Sequence, residues 1–167
     1  MLALRTAVAI GLAVGVSAAS AHAAKPSPQG YFVVDSSRHS VRLTLLAGLD
    51  GSNGGFNFDG YGRGEMLVSV PAGWHLVVVC ESHGSARFSC AVVRNSLSTR
   101  PAFPGAATPN PTVGLNPGGK ATFSVLLAKP GSYRIASLVP GQEQARMWDV
   151  LEVTRGGRPS ISARPGP

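Results

Sequence analysis

Residues 137–153 read SLVPGQEQARMWDVLEV, and this stretch decides the fold. Its first part ends at Pro140-Gly141, a pair that ends a strand and begins a turn. Its last part starts at Met147 and is mainly apolar with branched side chains, which is typical of a buried strand. The stretch therefore predicts two β-strands joined by a loop.

The rest of the region from 31 to 154 continues this pattern. Apolar residues alternate with polar ones over short segments, and pairs such as Asp50-Gly51 and Pro130-Gly131 separate the segments. This alternation with frequent turns predicts an all-β sandwich or barrel, and helical signals are nearly absent. The predicted strands are 31–35, 41–46, 65–70, 73–80, 88–93, 121–127, 133–138 and 147–153.

The N-terminal residues read as an export signal. Arg5 supplies a positive start, residues 7–19 are apolar, and Ala21-His22-Ala23 fits the small-x-small cleavage pattern. The apolar run falls short of the roughly 20 residues that span a bilayer, although an uncleaved anchor is the alternative. We therefore predict a signal peptide at 1–23, a linker at 24–30 and an exported mature protein, periplasmic or extracellular, without stable membrane insertion after cleavage.

Two segments differ from the strand-rich region. Residues 96–119 are rich in Pro, Gly, Asn and Thr, which predicts a long surface loop inside the domain at 31–154. Residues 155–167 read RGGRPSISARPGP and have almost nothing apolar to bury, which predicts a flexible C-terminal tail.

The net charge does not indicate a nucleic-acid partner. The formal charge of +7 becomes +6 once Arg5 is removed with the signal peptide. The basic residues are scattered, with no basic run and no interleaving with aromatic residues, so the charge is that of a solvated surface.

The two cysteines predict a disulfide bond. Cys80 and Cys90 both fall on the apolar side of predicted strands, and an exported chain meets an oxidising compartment. The alternative is a thiol pair for metal or redox chemistry, although no C-x-x-C motif is present.

Four segments resemble sulfocyanin-type members of the cupredoxin (blue-copper) family. They are VRLTLLAG at 41–48, GFNFDG at 55–60, VPAGW at 70–74 and MWDVL at 147–151. The resemblance covers 31–154 and implies a cupredoxin-like Greek-key β-sandwich with mainly antiparallel strands.

The resemblance also locates a type 1 copper site, which family members build from two His, one Cys and one Met. The corresponding positions here are Phe88 and Gln142 for the histidines, Ser137 for the cysteine and Met147 for the methionine. Three of the four ligands are thus replaced, and the site is predicted to be degenerate, filled by these residues and Trp148.

We therefore predict that the chain has lost copper and serves as a binding or structural module, for a protein or small-ligand partner outside the cytoplasm. The alternative is a copper-binding electron-transfer protein that uses His83, Cys90 and Met147 as non-standard ligands. A further alternative is recognition of a ligand or protein by loop 96–119. No G-x-S-x-G motif or phosphate-binding loop is present, so no enzyme is predicted.

Overall fold

The computed structural model describes Lys25 and residues 27–166. The predicted signal peptide at 1–23 lies outside the described residues. Within the described part of the chain, no helix is long and apolar enough to cross a membrane.

The described residues form nine strands, and two short 3-10 segments occur at Pro28–Tyr31 and Ser52–Gly55. The strands are β1 (Phe32–Asp35), β2 (Ser40–Ala47), β3 (Met66–Pro71), β4 (His75–Ser82), β5 (Ala91–Val93), β6 (Lys120–Leu126), β7 (Gly131–Ala136), β8 (Trp148–Thr154) and β9 (Ser160–Ala163).

The strands make two packed sheets, with the orders β1-β2-β4-β6 and β5-β7-β8-β3-β9. Two neighbouring pairs, β2 with β4 and β3 with β8, are parallel, and the other strand pairs are antiparallel. β2 and β4 are parallel because the chain passes through β3, in the other sheet, between them. β3 and β8 are likewise separated along the chain by strands of the other sheet. The all-β sandwich prediction is confirmed, with sheets that are mixed rather than purely antiparallel.

Alternating side chains build the core between the sheets. On β2, Val41, Leu43 and Leu45 are fully buried, while Arg42 on the opposite face is exposed. Strand β3 repeats this with fully buried residues at 66, 68 and 70. Period-two patterning places one face of each strand in the core, as the sequence predicts.

A disulfide bond joins the two sheets. Cys80 lies on β4, Cys90 directly precedes β5, and their Cα atoms are 6.0 Å apart. The predicted disulfide is therefore confirmed. It crosses the core at the end of the sandwich where β4 ends and β5 begins, called the loop end below.

Loop 96–119 covers the outer edge of β5. The Val92 N–H donates to Ala106 O at 2.9 Å, and the Thr108 N–H donates to Cys90 O at 3.0 Å. Phe103 is buried against Tyr133, with ring centroids 5.0 Å apart. The loop thus satisfies edge groups that would otherwise be free to pair with another chain.

The prediction of a flexible tail at 155–167 is wrong for the segment around β9. This strand pairs antiparallel with β3, and Ile161 is buried against the core. The Arg164 N–H donates to Glu65 O at 2.7 Å, and Arg164 Nε donates to Gly64 O at 2.8 Å. Pairing with β3, the buried side chain of Ile161 and the hydrogen bonds of Arg164 together hold this polar segment in the sheet.

Candidate functional site

The four positions that match the family's copper ligands lie together at one end of the sandwich. Ser137 follows β7, Met147 precedes β8, and Gln142 lies on the loop between them. Phe88 comes from the segment before β5. All four are buried, with exposures between 0 and 5%.

The loop between Ser137 and Met147 is closed by its own backbone. The Gln142 N–H donates to Val139 O at 3.2 Å, and the Met147 N–H donates to Gln142 O at 3.0 Å. Gly141, with φ of +87°, supplies the left-handed conformation that this turn requires. The family-like spacing of the sequence therefore produces a compact turn that brings both ends of the loop to one place.

Phe88 fills its position with a ring that has no metal-binding atom. A Cβ atom placed on Gly48 would lie 2.6 Å from the Phe88 ring, and one on Gly84 would lie 2.7 Å away. Phe56 meets the ring edge-on, with centroids 6.5 Å apart. The two glycines therefore make the space that the Phe88 ring occupies.

Ser137 is held in a hydrogen-bond network with Ser89. The Ser89 N–H donates to Ser137 Oγ at 3.2 Å, and the two hydroxyl oxygens lie 3.1 Å apart. Ser89 Oγ also accepts the Leu138 N–H at 2.9 Å. The Ser137 hydroxyl thus joins the β7 end to the segment before β5. Sequence reasoning missed Ser89, although its place beside Phe88 was the available signal.

Gln142 joins the loop to the same segment. Its Nε2 donates to Arg87 O at 2.7 Å, which fixes the amide, while its Oε1 is buried without a hydrogen-bond partner among the described residues. A neutral amide oxygen is a poor copper ligand beside imidazole or thiolate, and no imidazole or thiolate lies at the other family positions. Ser137 and Gln142 thus tie the loop to the segment before β5, as buried polar groups require hydrogen-bond partners.

These residues do not fit type 1 copper. Met147 is fully buried and is the single soft donor of the four, and a protonated serine hydroxyl cannot replace a thiolate. Among Lys25 and residues 27–166, no three or more His, Cys, Asp or Glu side chains are grouped closely enough to hold a metal ion.

The alternative ligand set of His83, Cys90 and Met147 is wrong for this structure. The Cys90 sulfur is bonded to Cys80 and has no thiolate to offer a metal. His83 is exposed and its Nε2 lies 3.5 Å from Glu81 Oε2. The disulfide thus removes the soft ligand on which the set depends.

A second network, which sequence reasoning missed, lies beside the loop. Glu143 is buried, and its Oε1 accepts Arg134 Nη1 at 2.8 Å while its Oε2 accepts the Leu97 N–H at 2.8 Å. The Arg134 guanidinium stacks 3.9 Å from the Trp148 ring centroid. Trp148 is therefore a half-buried platform for Arg134, packed also on Gly64, rather than a filler beside Met147.

Two buried aspartates lie near this end of the molecule. Asp59 Oδ1 accepts the Leu46 N–H at 2.8 Å, and Asp149 Oδ1 accepts the Met66 N–H at 2.9 Å. The other oxygen of each carboxyl is buried without a hydrogen-bond partner in the described part of the chain. Burial raises the pKa of Asp59 to about 7 and that of Asp149 well above its usual value. Asp59 lies in a turn, as its position before Gly60 indicates.

Comparison with known proteins assigns the family. The profile of the Sulfocyanin (SoxE) domain matches residues 27–156. The chain therefore belongs to the sulfocyanin family of cupredoxins, in agreement with the segments at 41–48, 55–60, 70–74 and 147–151. No curated protein matches the chain.

Solved structures of similar fold include auracyanins and rusticyanin. Reduced auracyanin from Roseiflexus castenholzii aligns with a TM-score of 0.50 and 19% identity, covering 68% of this chain and 96% of that one. Auracyanin A from Chloroflexus aurantiacus aligns with a TM-score of 0.48 and 14% identity, covering 69% and 99%. Rusticyanin from Thiobacillus ferrooxidans aligns with a TM-score of 0.45 and 12% identity, covering 74% and 86%. The Roseiflexus auracyanin supports the cupredoxin sandwich.

Proposed function

We propose that this protein is an exported member of the sulfocyanin family that has lost type 1 copper and serves as a binding or structural module. The observation that carries the proposal is the set of residues at the four ligand positions. They are Phe88, Ser137, Gln142 and Met147, and they fill the loop end of the sandwich. Their donor atoms offer copper one thioether and no thiolate or imidazole.

The hydrogen bonds of the site support a structural role for the replaced positions. The Ser137 hydroxyl bonds Ser89, and the Gln142 amide bonds Arg87 O, so both tie the loop to the segment before β5. A type 1 site makes the corresponding connection through the metal. Polar side chains thus take over the cross-link between loop and strand, and the fold is kept without the metal.

Export is supported by two independent features. The Ala21-His22-Ala23 pattern after an apolar run is that of a cleaved signal peptide. The Cys80–Cys90 disulfide is characteristic of proteins that fold outside the reducing cytoplasm. An exported sandwich whose four family ligand positions lack imidazole and thiolate fits a binding or structural role.

The test is copper loading of the protein expressed from Lys25 onward with its disulfide intact. Cu(II) is added, and visible absorption, electron spin resonance and tightly bound copper are measured after gel filtration. We expect no intense thiolate-to-copper band and no stoichiometric copper. An intense band, or one copper per chain after gel filtration, would overturn the proposal.

A variant with the three family ligands restored is the matched control. Phe88→His, Ser137→Cys and Gln142→His together supply two imidazoles and a thiolate beside Met147. We expect this variant to develop the thiolate-to-copper band under the same conditions. Failure of the folded variant to bind copper would show that these positions are not the family's ligand positions, and the proposal would lose its main support.

A further inference from the structure

A cavity of about 200 Å³ opens between loop 96–119 and the loop that follows β7. Leu97, Thr99 and Thr112 line one side, and Leu138, Val139 and Pro140 line the other. The lining is mainly apolar. Ser137 lines this cavity and also belongs to the hydrogen-bond network with Ser89. The cavity is therefore adjacent to the positions of the family's copper ligands.

Leu97 at the mouth of this cavity has an unusual conformation. Its φ is +56°, a left-handed value that bulky L-residues rarely adopt, and its side chain is among the exposed large apolar groups at 59%. Such a conformation persists when the surrounding structure enforces it, and these positions are frequent at binding sites. Leu97 thus presents an apolar side chain to solvent at the mouth of the cavity.

The buried network around Glu143 anchors the backbone at Leu97. Glu143 accepts the Leu97 N–H at 2.8 Å and is itself fixed by Arg134, which stacks on Trp148. These contacts join Leu97 to strands β7 and β8. The cavity wall is thus held by the sheet and exists before any ligand arrives, which lowers the entropy lost on binding.

The charge and size of the cavity define the ligand. Glu143 is the one charged side chain in the lining, and both of its oxygens already accept hydrogen bonds. No free charge therefore faces a ligand, and a neutral molecule is favoured. An apolar cavity of about 150 Å³ accommodates benzene, so 200 Å³ corresponds to a molecule about the size of phenol.

A small molecule is favoured over a protein as the occupant. The exposed large apolar residues of the described chain are dispersed, since Val33 and Val34 lie on β1 and Leu126 lies on β6, at the two edges of the four-stranded sheet. Of the exposed large apolar residues in the described part of the chain, Leu97 and Val113 are the two that belong to the loop beside the cavity. A stable protein interface needs about 800 Å² from each partner, which these two side chains do not supply.

We propose that this cavity binds a small, neutral and mainly apolar molecule about the size of phenol, which contacts Leu97 and Val139 and hydrogen-bonds to the threonine hydroxyls at the rim. The inference rests on the proposed binding role, but it is independent of whether copper binds at the family positions.

The experiment is a titration of the ¹⁵N-labelled mature protein with phenol, followed by amide chemical shifts, with benzoate as the charged comparison. We expect phenol to cause saturable shifts at the amides of Leu97 and Val139, and benzoate to bind at least about tenfold more weakly because no cation faces the cavity. Thr99→Phe fills the cavity from an exposed position and should weaken phenol binding by about tenfold or more. The matched control is Thr122→Phe on the exposed face of β6, which should leave binding unchanged.

A second variant tests the strained leucine. Leu97→Asn keeps a residue that tolerates positive φ and keeps the N–H for Glu143, but removes the apolar contact. Weaker phenol binding by this folded variant supports the proposal, and unchanged binding overturns the part assigned to Leu97.

Three results would overturn the site itself. They are no saturable shifts with phenol, shifts that map to another surface, and equal loss in Thr99→Phe and Thr122→Phe. None of these results would alter the outcome of copper loading, so failure of the cavity and failure of the copper-free assignment are distinguishable.

Discussion

Replacing Asp59 by asparagine should change how the stability of this protein depends on pH. Asp59 is 1% exposed, and its Oδ1 accepts the Leu46 N–H while its Oδ2 has no partner within the described residues. Burial is the main cause that raises the pKa of its carboxyl from 3.8 to about 7, and the charge of Glu81 adds to the rise. The Leu46 N–H acts in the opposite direction but does not offset the burial.

The direction in which stability changes with pH follows from the pKa of Asp59 in the unfolded chain and in the folded chain. Between pH 3.8 and about 7 the carboxyl is protonated in the folded chain and ionised in the unfolded chain, so the folded state binds the additional proton. The stabilising contribution is complete below pH 3.8 and is lost as the pH rises to about 7. The difference between these pKa values corresponds to a loss of about 4 kcal/mol in the free energy of unfolding.

Asp59→Asn keeps an oxygen for the Leu46 N–H and cannot ionise. We therefore expect the variant to become more stable relative to wild type as the pH rises from 4 to 8, by about 4 kcal/mol over the whole range. Asp149, whose pKa is also raised by burial, remains in both proteins, and most of its contribution cancels in the comparison.

The assay is urea unfolding of both proteins at intervals between pH 4 and 8, with the free energy of unfolding taken from each curve. Glu152→Gln makes the same acid-to-amide change at an exposed site on β8 and should run parallel to wild type. If the difference between Asp59→Asn and wild type stays constant to within about 1 kcal/mol across this range, Asp59 does not titrate as its burial requires.

Two further predictions concern the frame of the fold. Replacing Cys80 and Cys90 by alanine opens a cross-link between residues separated by 10 positions, and should lower the free energy of unfolding by about 3 kcal/mol; urea midpoints equal to those of the oxidised wild type would contradict this. Ile161→Ala should lower the free energy of unfolding by about 2–4 kcal/mol because the Ile161 side chain is buried, with 6% exposure. Leu126→Ala, at an exposed position, should lower it by about 0.5 kcal/mol or less. Equal effects of the last two substitutions in thermal unfolding would mean that β9 does not pack on the sandwich.

Patterns local in the chain predicted most of the sandwich. Val41, Leu43 and Leu45 alternate with polar residues, and this alternation alone assigns one face of β2 to the core. Cys80 and Cys90 fall on such faces, so their pairing could be expected before the sheets were placed. The family resemblance located three of the ligand positions, Ser137, Gln142 and Met147, on one loop that is continuous in sequence, and it assigned Phe88 from a separate segment.

The C-terminal segment shows where local patterns fail. Residues 160–163 carry a single large apolar side chain, which is too little to predict a strand by composition. The segment nevertheless pairs with β3, because β3 offers an unoccupied edge there and Ile161 can reach the core. The availability of an edge is a property of the assembled sheet and leaves no mark on the segment itself.

The candidate site also has one property that residue identity determines and another that only folding determines. Residue identities at Phe88, Ser137 and Gln142 determine that imidazole and thiolate are missing from the family's ligand positions, because donor chemistry depends on residue type alone. The partners of these residues depend on folding. The contact of Ser137 with Ser89 spans 48 positions of sequence, and that of Glu143 with Leu97 spans 46. Such contacts follow from how two sheets and a long loop pack around one end of the core, since hydrogen bonds between distant segments form only where the backbone brings their atoms together.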